Sequence, residues 1–173
     1  RDEYAAELMR HMPVDSLGDC LRNKRLEDFV SGRGTWGAGG WDDIMSVLPR
    51  YKFYLAFENS RAEDYVTERV YHALSRGVVP VYLGAPNVRE FMPADDAVIV
   101  ASEYATPHDL ARHLKHLAQD SDAYARHLRW KDEGLSEPFE RLLQLGESDP
   151  VQRMARKLVH GCDRACRCGG RLR

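Results

Sequence analysis

Between Lys52 and Gly84 the chain reads KFYLAFENSRAEDYVTERVYHALSRGVVPVYLG, and the polar residues in it suit a phosphorylated, hydroxyl-rich ligand. Arg69 supplies a fixed positive charge within reach of an anion. Glu68 is a carboxylate of the kind that accepts hydrogen bonds from ribose hydroxyls. Asn59 offers both donor and acceptor groups, as sugar hydroxyls require. Tyr54 and Tyr65 can lay an aromatic face or a hydroxyl against the ligand. Thr67 opens a helix whose first N–H groups and positive dipole end favour a phosphate, so helix start and Arg69 together suit a diphosphate. Taken singly, the same residues also fit blander roles: Glu68 and Arg69 a solvated helix face, Tyr54 a core position, Asn59 a turn cap.

The elements that must position these residues follow from the apolar pattern. Tyr51 to Phe57 runs apolar like a buried strand, and Thr67 to Arg76 carries Val70, Tyr71, Ala73 and Leu74 on one helical face before Gly77. Val78 to Leu83 is a continuous, β-branched run of the kind found in a central parallel strand. Strand, loop, helix and strand make a βαβ unit, and the loop Glu58 to Tyr65 leaves the carboxyl end of its first strand, where open parallel sheets bind ligands.

The alternation continues more weakly. Asn87 to Phe91 predicts a helical turn, Ala97 to Val100 a strand, and Pro107 to Ala118 a helix with Leu110, Leu114 and Leu117 inward. Helices are also expected at Asp2 to Met12, Trp41 to Leu48, Tyr124 to Trp130 and Pro138 to Leu145. The fold class expected is α/β, a Rossmann-like parallel sheet with helices on both faces. The glycine-rich stretch Ser31 to Gly40 lacks the Gly-Lys-Ser/Thr ending of a phosphate loop and reads as a surface loop.

At 173 residues, 43% hydrophobic and 30% charged, the chain is long enough for one globular domain. A net charge of -2 excludes a global basic field, so nucleic acid is not an expected partner. No apolar run approaches the roughly 20 residues of a membrane helix. Because the chain opens at Arg1 directly into a helical pattern, it reads as a piece of something longer, with any membrane anchor outside it. There are four cysteines. Cys162, Cys166 and Cys168 crowd the end with the spacing C-x3-C-x-C, which lacks the paired C-x2-C of zinc sites; a disulfide in an oxidising compartment explains the cluster more simply, and Cys20 stands alone.

The whole string resembles the donor-binding signature of the α1,3/α1,4-fucosyltransferases, glycosyltransferase family 10. The match runs through Phe57-Glu58-Asn59-Ser60, Asp64-Tyr65-Val66-Thr67-Glu68-Arg69 and Gly77-Val78-Val79-Pro80-Val81 with Gly84. Asp15-Ser16-Leu17-Gly18 and Leu128-Arg129-Trp130-Lys131 also fit, and the likeness extends from Arg1 to about Leu145. Arg129-Trp130-Lys131-Asp132-Glu133-Gly134 looks most like the plant-type members that fucosylate the core of N-glycans.

The resemblance implies a GT-B fold of which this chain is the carboxyl-terminal half: residues 1–146 a GDP-fucose-binding Rossmann-like domain, 147–173 a helical, Cys- and Arg-rich tail. It aligns Arg1 with the arginine that binds the donor diphosphate, Tyr54 and Asn59 with donor-contacting positions, Tyr65 with the tyrosine near the nucleotide and Glu68 with the ribose ligand. Arg69 stands where the family usually has lysine, a planar fork in place of a point charge.

The function implied is inverting transfer of fucose from GDP-fucose to the 3-hydroxyl of N-acetylglucosamine in N-glycans. Lewis-type antennae or protein hydroxyls are alternative acceptors, and a non-catalytic nucleotide-sugar-binding module is the alternative outside the enzymes. The general base that inversion needs is expected in an amino-terminal domain that this chain does not contain, so no catalytic residue is assigned; Glu58 shapes the loop or touches the donor instead. No metal or cofactor is expected, and Arg1, Arg69 and the start of the helix would stabilise the leaving diphosphate. The family further implies the Golgi lumen and a type II membrane protein.

Overall fold

The computed structural model describes residues 1–29, 40–147 and 149. The glycine-rich stretch 31–39 and the tail with Cys162, Cys166 and Cys168 lie outside the described residues. In chain order the elements are α1 (Asp2–His11), α2 (Gly40–Val47), β1 (Phe53–Phe57), α3 (Glu68–Arg76), β2 (Val79–Leu83), β3 (Ile99–Val100), α4 (Pro107–Gln119), α5 (Ser121–Arg126), α6 (Trp130–Glu133) and α7 (Glu137–Glu147).

The three strands among the described residues form a parallel sheet in the order β1-β2-β3, with Phe53 beside Val79, Phe57 beside Leu83 and Val81 beside Ile99. Buried on both faces, β2 places side chains alternately on each. Val79, Val81 and Leu83 join Phe57, Leu8, Leu110 and Leu114 on the α1/α4 face. Tyr82 joins Ala56, Val70, Leu74 and Met92 on the α3 face. Pro80 would weaken a fully paired central strand, but β3 pairs only from Val81 onward.

Local chemistry sets where the helices begin and end. Thr106 caps α4 through its hydroxyl, which accepts from the Asp109 N–H at 3.1 Å, and Pro107 occupies the first turn. Gly77 closes α3 in the left-handed region at φ +72, and a Cβ there would lie 2.4 Å from Lys131 Nζ. The helix expected over Tyr124 to Trp130 is divided: α5 ends at Arg126, and α6 starts at Trp130. Trp130 packs against the α3-face cluster, and the turn between is tied to the body where His127 meets the Asp96 carbonyl and Arg129 lies 3.7 Å from Asp96. These contacts come from distant sequence, so local helical periodicity does not register them.

Candidate functional site

The side-chain alternation of β1 decides how the loop behind it is wired. Phe53, Leu55 and Phe57 face α1 and α4, while Tyr54 and Ala56 face α3. Continued past the strand, the same parity sends Glu58 toward α3 and Asn59 toward α1. The observed contacts follow it: Glu58 reaches Thr67 and Arg69, and Asn59 reaches Arg1.

Glu58 is the buried charge of the α3 side, with none of its side chain exposed. Its backbone N–H continues the sheet, donating to the Leu83 carbonyl at 2.8 Å. One carboxylate oxygen accepts from the Thr67 N–H at 2.8 Å, and the Thr67 hydroxyl lies within 2.9 Å of both oxygens. Arg69 Nη1 donates to the other oxygen at 2.9 Å and to the Thr67 hydroxyl at 3.1 Å. A buried carboxylate is costly unless paired and hydrogen-bonded, and here both conditions hold. The Thr67 N–H, expected to face a phosphate, is thus already taken by Glu58. The Thr67 hydroxyl turns to Glu58 as well, so the N-terminus of α3 carries no side-chain cap.

Beneath this pair, Gly84 supplies the space. A Cβ at position 84 would sit 2.6 Å from Glu58 Cγ and 2.4 Å from the Tyr82 hydroxyl, closer than side-chain carbons approach. The Tyr82 hydroxyl donates to the Tyr65 carbonyl at 3.2 Å and accepts from the Ala85 N–H at 3.1 Å, so it ties the loop to the end of β2. Asp64 adopts φ +61, a conformation Asp tolerates better than most residues. It is fixed by two hydrogen bonds to the Asn87 amide: the Asp64 N–H donates to Oδ1 at 3.0 Å, and Nδ2 donates to the Asp64 carboxylate at 2.8 Å.

The other predicted residues distribute around this loop. Glu68 is exposed at the first position of α3, and Tyr65 is 38% exposed. Tyr54 lies in packing between the α3-face cluster and a smaller one of Met45, Leu48, Ala73 and Val78; burial raises its phenol above the usual tyrosine value. Arg1, just ahead of α1, donates to Asn59 Oδ1 and pairs with Asp2 at 2.9 Å. The hydrogen bond that Arg1 donates to Asp2 raises the Arg1 guanidinium and lowers the Asp2 carboxyl. Arg1 also lines an open cleft of about 500 Å³ with Tyr4, Arg61, Leu83, Ser102 and Tyr104, at the carboxyl ends of β2 and β3.

The structure therefore joins Arg1 to Asn59 on one side of the end of β1 and Arg69 to Glu58 on the other, leaves Tyr65 and Glu68 exposed near the start of α3, and sets Tyr54 partly buried between two apolar clusters. Sequence reasoning missed Asn87, Tyr82 and the clamp on Arg69. The period-two parity of β1 was the signal for Glu58; the pairing of Asn87 with Asp64, 23 residues apart, left none. Among the described residues no group of three or more His, Cys, Asp or Glu side chains is placed to hold a metal ion.

The family model described as the C-terminal domain of glycosyltransferase family 10 (fucosyltransferase) matches residues 1–164. Curated relatives named GDP-fucose protein O-fucosyltransferase 3 include that of Bos taurus, 40% identical over 134 residues, which are 78% of this chain and 27% of that protein. The Danio rerio relative is 41% identical over 131 residues, covering 76% and 28%. The chain thus spans little more than a quarter of the length of the curated relatives it matches. Among solved structures, an α1,3-fucosyltransferase with GDP superposes with a TM-score of 0.58 at 22% identity, over 73% of this chain and 33% of that one. An α1,3-fucosyltransferase with GDP-fucose superposes at 0.56 with 24% identity, over 72% and 32%. At such identities the likeness shows the shared fold.

Proposed function

From the premise that this chain belongs to glycosyltransferase family 10, the fucosyltransferases, we propose that it is the donor-binding part of an enzyme that transfers fucose from GDP-fucose with inversion. The observation that carries the reading is the pair of arginines, Arg1 and Arg69, on opposite sides of the loop leaving β1. A diphosphate laid across that loop meets a guanidinium from each side and the uncapped N-terminus of α3. Glu68, exposed beside Arg69, takes the ribose hydroxyls, and Tyr65 lies along the nucleotide. Asn59 contacts the donor beside Arg1. Tyr54 acts from beneath, packing where β1 meets α3.

As the bond from fucose to the diphosphate breaks, negative charge grows on the departing oxygen. Fixed guanidinium charges and backbone N–H groups stabilise it without a metal ion or other cofactor. The base that takes the proton of the acceptor hydroxyl comes from outside this chain. For the acceptor, the relatives named protein O-fucosyltransferase favour a protein hydroxyl over the 3-hydroxyl of N-acetylglucosamine in N-glycans or a Lewis-type antenna. The Golgi lumen, with an anchor outside this chain, completes the proposal.

Calorimetric titration with GDP, GDP-fucose and UDP-sugars tests the donor. GDP and GDP-fucose should bind, and a preference for UDP-sugars would sink the fucosyl reading. Arg69→Ala should weaken GDP binding far more than Arg112→Ala, since Arg112 pairs with Asp109 at the surface with 73% of its side chain exposed. The full-length parent, assayed on a folded protein domain and on a core N-glycan, decides the acceptor. A parent that binds GDP and transfers nothing would be a binding module.

A further inference from the structure

The contacts of Arg69 are one-sided. Nη1 carries both of its hydrogen bonds, to Glu58 and to the Thr67 hydroxyl, and among the described residues no bond holds Nη2 or Nε. Glu58 is the fixed partner: its side chain is wholly buried, while 27% of the Arg69 side chain is exposed. Glu58 in turn is fixed from below, because the space that a Cβ at position 84 would fill is taken by Glu58 Cγ. A guanidinium is planar, so holding one nitrogen at a set point restricts where the other two face.

Building on the donor reading above, we infer that Glu58 is a positioning residue: it grips one corner of Arg69 and so presents the free edge, Nη2 and Nε, as a preset two-pronged donor for one phosphate. In this role a carboxylate can stand beside an anion site, where by charge alone it opposes the ligand. What it removes in net charge it returns in geometry, since a long side chain already held in its binding conformation loses less entropy when the ligand arrives. It also gives Arg at position 69 a function that Lys cannot share. A single ammonium drawn to the buried carboxylate has no second prong to offer.

Two simpler roles predict different results. If Glu58 merely neutralises charge, removing its charge strengthens phosphate binding. If it merely holds the loop, removing it damages every ligand contact equally and does so whether or not Arg69 is present.

The test is calorimetric titration of the chain with GDP and with guanosine, which lacks phosphates, for wild type, Glu58→Gln, Arg69→Ala, Arg69→Lys and the Glu58→Gln/Arg69→Ala pair. Gln keeps the shape and an acceptor for the Thr67 N–H but no longer draws Nη1 by charge. The expected result is a loss of about 10-fold in GDP affinity for Glu58→Gln, with guanosine affinity unchanged and no further loss when Arg69 is already Ala. Arg69→Lys, which keeps the charge but not the second prong, should bind GDP more weakly than wild type and more tightly than Arg69→Ala. Tighter GDP binding by Glu58→Gln, an equal loss in the Arg69→Ala background, or wild-type affinity in Arg69→Lys would each overturn the positioning role. Should Glu58→Gln fail to fold, as a thermal melt would reveal, Arg69→Lys decides alone. A wild-type chain that binds no GDP overturns the donor reading and the positioning role together; a chain that binds GDP but fails the other comparisons overturns the positioning role only.

Discussion

Two neighbouring residues at the end of β1 serve opposite faces of the sheet in opposite ways. On the α3 face, Glu58 is buried and bound to Thr67 and Arg69, above a glycine with no room for a side chain. On the α1 face, Asn59 is exposed and meets Arg1, whose other partner, Asp2, is exposed too. One side is assembled as part of the core, and the other is held by contacts that water can replace. Arginines of the same chemistry therefore differ in what their surroundings commit: the grip on Arg69 is a folding interaction, and that on Arg1 is adjustable.

Breaking the buried side should have the largest effect. Glu58→Ala leaves Thr67 and Arg69 without their partner and is expected to cost about 3 kcal/mol of stability, read by urea unfolding. Gly84→Ala attacks the same assembly sterically, pushing Glu58 and Tyr82 apart, with an expected cost of about 2 kcal/mol. On the other face, Arg1→Ala should change stability by less than about 0.5 kcal/mol, because exposed ion pairs contribute little. It should nonetheless weaken GDP binding about 10-fold. If Arg1→Ala destabilised the chain as much as Glu58→Ala, the contrast between the faces would be wrong.

Smaller effects sharpen it. Burial lowers the His113 imidazole on α4, with His127 and His116 adding to the shift. Its folded value lies below the unfolded one, so the unfolded chain takes up the proton first, and stability falls as pH drops below about 6.5. His113→Gln should make the loss of stability between neutral and mildly acidic pH shallower, measured as melting temperature against pH, and leave GDP affinity unchanged. The smallest expected effect is that of EDTA: if Arg1 and Arg69 meet the diphosphate charge as proposed, chelation should leave GDP binding as it was.

The βαβ unit was legible because its signals are local. A strand shows in a run of apolar residues, a helix in its period, and Gly77 marks the end of α3, where the backbone turns left-handed. The small sheet, with β3 only two residues long, still carries the expected parallel order. The division between α5 and α6 was not legible, because Trp130 and Arg129 answer to the α3 face and to Asp96 rather than to their own helix. Likewise, the stretch from Arg129 to Gly134 is engaged in packing: Lys131 lies over the Trp130 ring and against Gly77.

At the site, the residue types were readable and their wiring was not. Thr67 and Arg69 were both identified as phosphate-facing, yet the Thr67 N–H and one corner of Arg69 belong to Glu58. The sequence by itself determined the βαβ unit, the placing of a polar loop at the carboxyl end of β1 and the parity that sends Glu58 and Asn59 to opposite faces, all of which follow from backbone geometry over a few residues. Only the tertiary structure decided that Arg1 meets Asn59 across 58 positions, and that Gly84 opens the space in which Glu58 holds Arg69. Those pairings depend on how separate elements pack, and no short stretch of chain encodes that.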